Sequence, residues 1–471
     1  VKIHYMSEHE SYQSPFSWRY GSQKMRTLWS EHEKRSLWRF LWAALARVQA
    51  EYGLVSTFQA DELASHIDDI NLPRSLEIEA DIKHDLMAEL KAFAEQCPNA
   101  GGIIHLGATS MDIEDNADAI RIRNALDIII DALDSLLLSF AEKIGQHAGL
   151  AIMAYTHIQP AEPSTLGYRL SIWAQDLLED RNRIIAEREA MRGKGFKGAV
   201  GTSASYVELV GKDKAEEFEE RLSSELGLPF YPLSTQTYTR KQDYFVISSL
   251  AGLGASLHKF ALDLRILQSP SIGELSEPFG TKQVGSSAMP FKRNPIAAEK
   301  MDSLARSLSI MPQLAWQNAA LSVLERSLDD SANRRSFLPE AFLICDEILS
   351  VADSIIKGLQ VSVEAIKRNM ENYGPFAASE RVLMAIAKKG ADRQEAHEKL
   401  RRHSMAAWAA INTGAANDLA LRISGDPWFL AFLTKLELDT LMQADQHFGL
   451  AEKRATAMAE HIRSTIKRKR Q

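Results

Sequence analysis

Apolar residues recur at steps of three and four over three long stretches of the chain, the pattern of helices packed in a bundle. These stretches span residues 122–140, 247–267 and 338–359. Each covers about five turns or more, which predicts helices on the order of 30 Å long at about 1.5 Å per residue. The period-two alternation typical of strands is nearly absent. The pattern therefore predicts an all-α fold with a central bundle of long helices.

Glycine and proline mark the breaks between the predicted helices. They concentrate at residues 157–163, 193–201, 227–232 and 269–295. The breaks divide the chain into three predicted helical domains, an N-terminal domain over 1–109, a central long-helix domain over 110–361 and a C-terminal domain over 362–471. No internal repeat or low-complexity block accompanies this division.

Composition excludes several classes of protein. With 471 residues, 45% of them hydrophobic and 25% charged, the chain is globular and long enough for a large core. The net charge of −7 gives no overall attraction to nucleic acid or anionic membranes, so neither is a predicted partner. An anionic ligand must be held by local cations. The basic run at 467–470 is interpreted as a solvated tail.

Cysteine usage and hydropathy predict a cytoplasmic protein. Cys97 and Cys345 are the two cysteines, and they lie far apart in the sequence. This argues against a disulfide scaffold and favours a reducing compartment. No apolar run approaches the roughly 18 residues of a membrane span, and even 125–140 is interrupted by aspartates. The N-terminus lacks a hydrophobic signal core, and Met6-Ser7 is a candidate natural start.

The segment from Gly285 to Pro295, with the sequence GSSAMPFKRNP, carries the strongest chemical signal. It places two hydroxyls, two cations and an amide in a loop bounded by glycine and proline, which is suited to gripping an anion. A serine hydroxyl is a poor base until its alkoxide is stabilised, and a lysine with converging backbone N–H groups supplies that stabilisation. Composition alone leaves an ordinary polar loop as the alternative.

Two other kinds of site are not expected. Residues 193–198 satisfy the pattern G-x-G-x-x-G, yet they follow a charged helical stretch at 181–192 and no βαβ unit surrounds them. They are therefore not a dinucleotide fingerprint. No HExxH motif or clustered Cys/His spacing occurs in the sequence, so no metal and no cofactor is predicted.

The loop string resembles the signature of the fumarase/aspartase/argininosuccinate lyase superfamily, and its AMPFKRNP part is most similar to the adenylosuccinate lyase family. Further blocks in family order extend the resemblance over nearly the whole chain. They lie at 14–20, 102–110, 156–161, 328–335 and 393–399.

The resemblance implies a C–N lyase of purine nucleotide biosynthesis. Its reaction is β-elimination of fumarate from adenylosuccinate, leaving AMP, and from the succinylated precursor SAICAR, leaving AICAR. It also implies a homotetramer built through the central helices, with each active site shared between subunits because the matching blocks lie far apart on long helices.

The resemblance assigns roles to the catalytic residues. Ser286 matches the general base, and His157, in Thr-His-x-Gln-Pro, matches the general acid, a role that suits an imidazole titrating near neutral pH. Lys292 belongs with them and, like Asn294, matches a residue that binds the succinyl carboxylates. His84 resembles another active-site histidine, and Glu299 is a candidate to orient His157. A lone histidine is more often structural, and a glutamate opening a helix is often only a dipole partner.

The resemblance also implies substrate contacts. Arg19, Tyr20 and His105 match phosphate or substrate contacts, while Thr109, Ser110 and Gln236 offer polar groups to a carboxylate. Arg326, Ser331 and Arg335 resemble nucleotide and phosphate ligands, since guanidinium forks suit phosphate oxygens. A helix N-cap followed by an arginine-rich exposed face is the alternative for 329–335. The remaining implied substrate contacts are Lys83, Asp85, Ser287, Met289, Lys300 and Leu328.

Two positions depart from the common pattern of the family. Lys83 and Lys300 stand where arginine is frequent, and lysine keeps the charge but loses the bidentate fork. This leaves the relative preference for the two substrates open. Two alternatives to the leading function also stay open: another lyase of the superfamily, and a noncatalytic helical tetramer of the kind recruited as lens protein.

Overall fold

The computed structural model describes residues 11–469, with side chains through residue 467, and it is mostly helical at 68% helix and 4% strand. The candidate start at Met6-Ser7 and most of the basic run at 467–470 lie outside the described side chains. The all-α prediction is confirmed at this level.

The helices divide into three groups along the chain. Those before residue 100 are α1 Gln23–Leu28, α2 Glu31–Glu51, α3 Thr57–Ser65, α4 Leu72–Ile82 and α5 Asp85–Gln96. The next group is α6 Ser110–Gln146, α7 Leu166–Ala190, α8 Ala204–Val210, α9 Ala215–Leu226, α10 Lys241–Leu267, α11 Ile296–Ala320 and α12 Ser331–Lys357. The last group is α13 Val363–Lys388, α14 Arg393–Asn412, α15 Leu419–Ser424, α16 Pro427–Leu430, α17 Lys435–Leu441 and α18 Ala451–Lys469.

Short elements complete the fold. Strands β1 (Ala151–Thr156) and β2 (Gln159–Thr165) form an antiparallel hairpin with a register shift between Met153 and Tyr155. Strands β3 (Leu275–Ser276) and β4 (Gln360–Val361) pair over two residues. Within residues 11–469, four 3-10 helices lie at Pro15–Ser17, Gly101–Ile103, Lys212–Lys214 and Ala444–Gln446. The hairpin was not predicted, since its strands alternate poorly in hydrophobicity.

The three predicted long helices are confirmed. They correspond to α6, α10 and α12, and their apolar positions are buried at 0–6% exposure. In α6 the side chains of Ile122, Ile129 and Phe140 have no exposed surface. The three-and-four spacing therefore reports a continuous buried face on each helix.

The chain forms two compact units. Unit 1 contains the described residues up to Ala132, with Asp180–Ala255 and Leu304–Leu349. Unit 2 contains Leu133–Glu179, Ser256–Ser303 and the described residues from Ser350 onward. Each boundary falls inside one of the five helices α6, α7, α10, α11 and α12. The predicted division at 109/110 and 361/362 stays a prediction.

One helix within the described range, α10, is long and apolar enough by length and composition alone to cross a membrane. The apolar run at 125–140 is therefore not the nearest approach to a span in this chain. In α10 the side chains of Leu250, Leu253, Leu257 and Leu264 are fully buried in the protein, and Arg265 pairs with a buried aspartate. These are the properties of a core helix, which passes the same test.

Candidate functional site

The residues predicted to form the site fall into both units. Unit 1 holds Arg19, Tyr20, Lys83, His84, Asp85, His105, Thr109, Ser110, Gln236, Arg326, Leu328, Ser331 and Arg335. Unit 2 holds His157, Ser286, Ser287, Met289, Lys292, Asn294, Glu299 and Lys300. Two separate groups of polar side chains can therefore be described, one in each unit.

The first group surrounds a cavity of about 100 Å³ in unit 1, which we call the arginine cavity. Four of the predicted substrate residues line this cavity, namely Asp85, Arg326, Ser331 and Arg335. Ser331 opens α12 and Arg335 follows it by one helical turn, which places both side chains on neighbouring positions of one end of the helix. Arg335 Nη2 donates to Asp85 Oδ2 at 2.8 Å.

A buried ion network fixes one wall of the arginine cavity. Asp115, which has no exposed surface, accepts from Arg240 Nη1 at 2.9 Å and from the backbone N–H of Tyr238 at 2.8 Å. Arg240 Nε also donates to Asp330 at 2.6 Å, and Asp330 accepts from Arg326 Nη1 at 2.7 Å. Burial favours the neutral form of Asp330, but Arg240 and Arg326 outweigh it and lower its pKa. The guanidinium of Arg326 is thus oriented before any ligand arrives.

The arginine cavity also contains an acid that the sequence argument did not single out. Glu114, on α6, lines the cavity beside Asp85 and Arg335. Burial raises the pKa of the Glu114 carboxyl to about 8, and the nearby carboxylates of Asp85, Asp118 and Asp115 add to the rise against the opposing charge of Arg335. No sequence motif marks this residue, because the groups around it come from α5 and α12 as well as from α6.

Three predicted residues lie around the start of α5. His84 is its N-cap and accepts from the backbone N–H of Met87 through Nδ1 at 3.4 Å. The Oγ of Ser110 lies 3.4 Å from His84 Nε2, so the structure brings these two residues together. Lys83 ends α4 in the left-handed conformation (φ 56°), and its Nζ donates to the carbonyl of Ala80.

A tryptophan sets the tautomer of His105. Trp42 Nε1 donates to His105 Nδ1 at 2.9 Å, which leaves Nε2 as the nitrogen that carries the proton in the neutral ring. Burial lowers the pKa of His105, against the opposing charge of Asp112. The residue therefore offers a neutral N–H donor. Thr109, four residues on, donates its backbone N–H to Asp112 Oδ2 at 3.0 Å.

The other predicted residues of unit 1 have these positions. Arg19 and Tyr20 follow the first 3-10 helix, and the Arg19 guanidinium lies 6.0 Å from the centre of the Tyr20 ring. The backbone N–H of Gln236 donates to the carbonyl of Glu325 at 3.2 Å. Leu328 is exposed and its carbonyl accepts from Ser331 at 3.0 Å.

In unit 2, His157 occupies the turn of the hairpin formed by β1 and β2. His157 and Ile158 both have positive φ, at 54° and 60°, and they link the paired residues Thr156 and Gln159. A two-residue turn with this geometry normally uses Asn-Gly, because side chains at positive φ are strained. Such strain is found at functional sites, where the tight turn presents a side chain outward. The side chain of His157 is exposed.

The segment between β3 and α11, residues 277–295, is the signature loop. Ser286 Oγ accepts from the backbone N–H groups of Met289 (3.1 Å) and Ala288 (3.4 Å). Two donors on one hydroxyl oxygen stabilise its alkoxide form, as the sequence argument required of a serine base. Lys292 donates its backbone N–H to Met289 O at 3.0 Å, and its side chain is exposed.

The remaining residues of the signature loop and of α11 have the following places. Ser287 and Met289 are exposed at the tip of the loop, and the side-chain amide of Asn294 donates to Gly285 O at 2.9 Å. Glu299, in the first turn of α11, lies 3.7 Å from Arg265 Nη2. Lys300 follows it on the same helix. Over the described residues, no hydrogen bond or ion pair joins Glu299 to His157 within this chain, so their pairing stays a prediction.

A search of the described residues finds no group of three or more His, Cys, Asp or Glu side chains arranged to hold a metal ion. Residues 193–198, which match the dinucleotide pattern in sequence, follow α7 and not a strand. Lys194 in this segment is buried against Asp112, and Asp112 also accepts from the backbone N–H of Gly198 at 3.2 Å. The segment anchors α6 and has no open face for a ligand.

Known proteins resemble this chain over nearly its full length. A lyase family model matches residues 22–308, and a model described as adenylosuccinate lyase C-terminus matches residues 375–457. Adenylosuccinate lyase from Saccharomyces cerevisiae is 40% identical over 95% of this chain and 93% of its own length. The Schistosoma mansoni adenylosuccinate lyase is 40% identical over 90% and 89%.

The fold is also that of solved superfamily structures. A crystal structure of fumarate lyase from Mesorhizobium superposes with a TM-score of 0.82 at 24% identity, covering 96% of this chain and 99% of the other. Sequence identity at that level supports a shared fold and nothing about function. The two family models and the full-length relatives together show that the chain belongs to the adenylosuccinate lyase family.

Proposed function

We propose that the protein is an adenylosuccinate lyase that releases fumarate from adenylosuccinate and from SAICAR. The observation that carries the proposal is the pair of backbone N–H groups on Ser286 Oγ, within a loop whose string matches the family signature. Membership of the family, with relatives of that name covering nearly the whole chain, supports the choice of substrate class.

The reaction begins with removal of a carbon-bound proton. The Ser286 alkoxide, held by the N–H groups of Ala288 and Met289, takes the proton from the β carbon of the succinyl group. The electron pair of the broken C–H bond moves onto the adjacent carboxylate. Lys292 and Asn294 bind the succinyl carboxylates and offset this charge.

Cleavage of the C–N bond completes the elimination. As that bond breaks, the electron pair held on the carboxylate returns to form the C=C bond of fumarate, and the electrons of the C–N bond leave with the nitrogen. His157 gives this nitrogen a proton, so the products are fumarate and a neutral NH₂ group, the amine of AMP or the carboxamide of AICAR. The strained turn at His157 and Ile158 holds the imidazole outward from its hairpin. Glu299 orients this imidazole in the assembled enzyme.

The arginine cavity serves the nucleotide phosphate. Arg326, Ser331 and Arg335 present two guanidinium groups and a hydroxyl to one space, and phosphate oxygens fit this set. Arg19, Tyr20 and His105 contribute further donors. Thr109, Ser110 and Gln236 hold the succinyl end, and Asp85 orients Arg335. His84 is a further catalytic histidine of the site. The remaining proposed substrate contacts are Lys83, Ser287, Met289, Lys300 and Leu328.

We further propose a cytoplasmic homotetramer with shared active sites and three helical domains, and no metal or cofactor. Exposed large apolar side chains on the long helices support association, since apolar surface of this kind is usually covered by a partner. They include Ile172, Phe245, Leu262, Ile310 and Trp316. Full activity in a verified monomer would refute shared sites.

An absorbance assay on the purified protein tests the function. We expect turnover of adenylosuccinate and of SAICAR and none of argininosuccinate or malate, because the arginine cavity is matched to a phosphate that the last two lack. Turnover of argininosuccinate or malate without adenylosuccinate would point to another lyase of the superfamily. If none of the four compounds is turned over, the alternative of a noncatalytic helical tetramer is favoured.

A further inference from the structure

The base of the signature loop is tied to the helix that follows it. Glu277, the first residue of the loop, is 3% exposed, and its carboxylate accepts from the backbone N–H of Ala297 (3.1 Å) and Ala298 (3.0 Å). These N–H groups belong to the first turn of α11, whose positive end favours a carboxylate. The first residue of the loop therefore contacts the helix that begins directly after its last residue.

A glutamine joins the same two ends a second time. Gln268 follows the last residue of α10, and its Oε1 accepts from the backbone N–H of Glu277 at 3.0 Å. Its Nε2 donates to the carbonyl of Arg293 at 3.1 Å. One side chain thus bridges the segment that enters the loop and the segment that leaves it.

Contacts between the base of the loop and Ser286 keep its entering and leaving segments together. The guanidinium of Arg293 lies 5.3 Å from the centre of the Phe279 ring, and Asn294 binds the carbonyl of Gly285. A Cβ at Gly285 would lie 2.3 Å from the carbonyl oxygen of Lys292, so no other residue fits this close approach. The two ends of the loop are therefore joined by contacts below the tip that carries Ser286.

We propose that Glu277 and Gln268 are positioning residues: they clamp the base of the signature loop so that Ser286 returns to one position in every turnover. This inference rests on the proposed function. Fixing both ends of a loop removes most of its accessible conformations. A misplacement of about 1 Å of a reacting group can cost about 100-fold in rate, so a small set of loop positions favours catalysis.

A purely structural helix cap would not need this arrangement. Several other helices of the chain are capped by the residue directly before them. Asp392 caps α14 in this way, through the N–H groups of Gln394 and Glu395 at 2.8 Å each. The cap of α11 comes instead from Glu277, across the whole loop. Capping α11 and closing the loop are therefore one interaction.

Two substitutions test the clamp. Glu277→Gln removes the charge and places an amide N–H₂ against backbone donors, and Gln268→Met removes both hydrogen bonds at nearly constant volume. We expect each to lower kcat by about 10-fold, with AMP affinity changed by less than about twofold. Hydrogen exchange in residues 278–295 should rise. Asp392→Asn is the matched control, because it weakens a carboxylate cap outside the loop and should leave kcat and loop exchange unchanged.

The outcomes separate the two proposals. If both clamp variants keep wild-type kcat and wild-type exchange in the loop, the clamp is refuted. The same holds if they lose thermal stability without a change in kcat. If the wild type does not cleave adenylosuccinate, the proposed function fails, while the exchange measurement still tests the clamp. Should Glu277→Gln not fold, Gln268→Met decides the matter alone.

Discussion

The signature loop and the arginine cavity hold their functional groups in opposite ways. In the loop, Ser286 is positioned by backbone N–H groups two and three residues away, and most neighbouring side chains are exposed. In the cavity, Arg326 is held by Asp330, which is tied through Arg240 to the fully buried Asp115. The hydroxyl of Ser286 depends on local backbone geometry at the tip of the loop, and the guanidinium groups of the cavity depend on long-range ion pairs.

This difference matches the two tasks proposed for the regions. The loop that carries the base must close to exclude water and open to release products, so it has to move. The local hydrogen bonds on Ser286 move together with the loop. A phosphate site gains from groups that are already oriented, because little conformational entropy is then lost on binding. We therefore expect substitutions in the loop to affect rate and substitutions in the network to affect stability.

The largest effect should follow Ser286→Ala. Loss of the base predicts a fall in kcat of about 1,000-fold, with unfolding midpoint and AMP affinity close to wild type, because the hydroxyl is bonded only within the loop. Steady-state kinetics and calorimetry measure these quantities. Ser287→Ala is the matched control, for which a loss at least about tenfold smaller is expected. Unchanged activity in Ser286→Ala would remove this residue as the base.

Asp115→Asn should have the largest effect on stability. It leaves the buried guanidinium of Arg240 with only one of its two carboxylate partners, Asp330, and breaking a buried pair of this kind typically costs about 3 to 5 kcal/mol. Urea unfolding measures the loss. The control is Asp127→Asn, which breaks a half-exposed pair with Arg188 and should cost less than about 1 kcal/mol. Equal losses in the two variants would contradict the contrast between buried and surface pairs.

The smallest effect concerns pH. The pKa of Glu114 is about 8 in the folded protein, against an ordinary value of 4.5. Between these values the unfolded chain has released the proton and the folded chain still holds it, so rising pH favours unfolding. Glu114→Gln should remove this slope and gain on the order of 1 kcal/mol relative to wild type between pH 6 and pH 8.

Urea unfolding at pH 6 and pH 8 checks the prediction for Glu114. The exposed Glu216→Gln is the control and should shift both values equally, since its carboxylate is not buried on folding. A parallel pH slope in wild type and Glu114→Gln would show that this carboxyl does not hold its proton in the folded protein.

Local sequence was sufficient for several features. The helices α6, α10 and α12 follow from apolar spacing, because a face buried along its whole length requires that period. The loop around Ser286 follows from Gly285, Pro290 and Pro295, because proline lacks the backbone N–H that a continuous helix needs. Composition alone does not decide such a break, since Gly374 and Pro375 lie inside α13. The hairpin at His157 was missed, since its turn lacks the usual Asn-Gly signal.

The amino-acid sequence by itself determined the helical class, the family and the identity of the chemical groups, because these depend on local periodicity and on contiguous strings such as GSSAMPFKRNP. Only the tertiary structure decided that Glu277 and Gln268 close the signature loop, that Asp115 orients the arginine cavity through Arg240, and that Glu114 lies among other carboxylates. The physical reason is distance along the chain: burial and hydrogen-bond partners come from residues that only folding brings together.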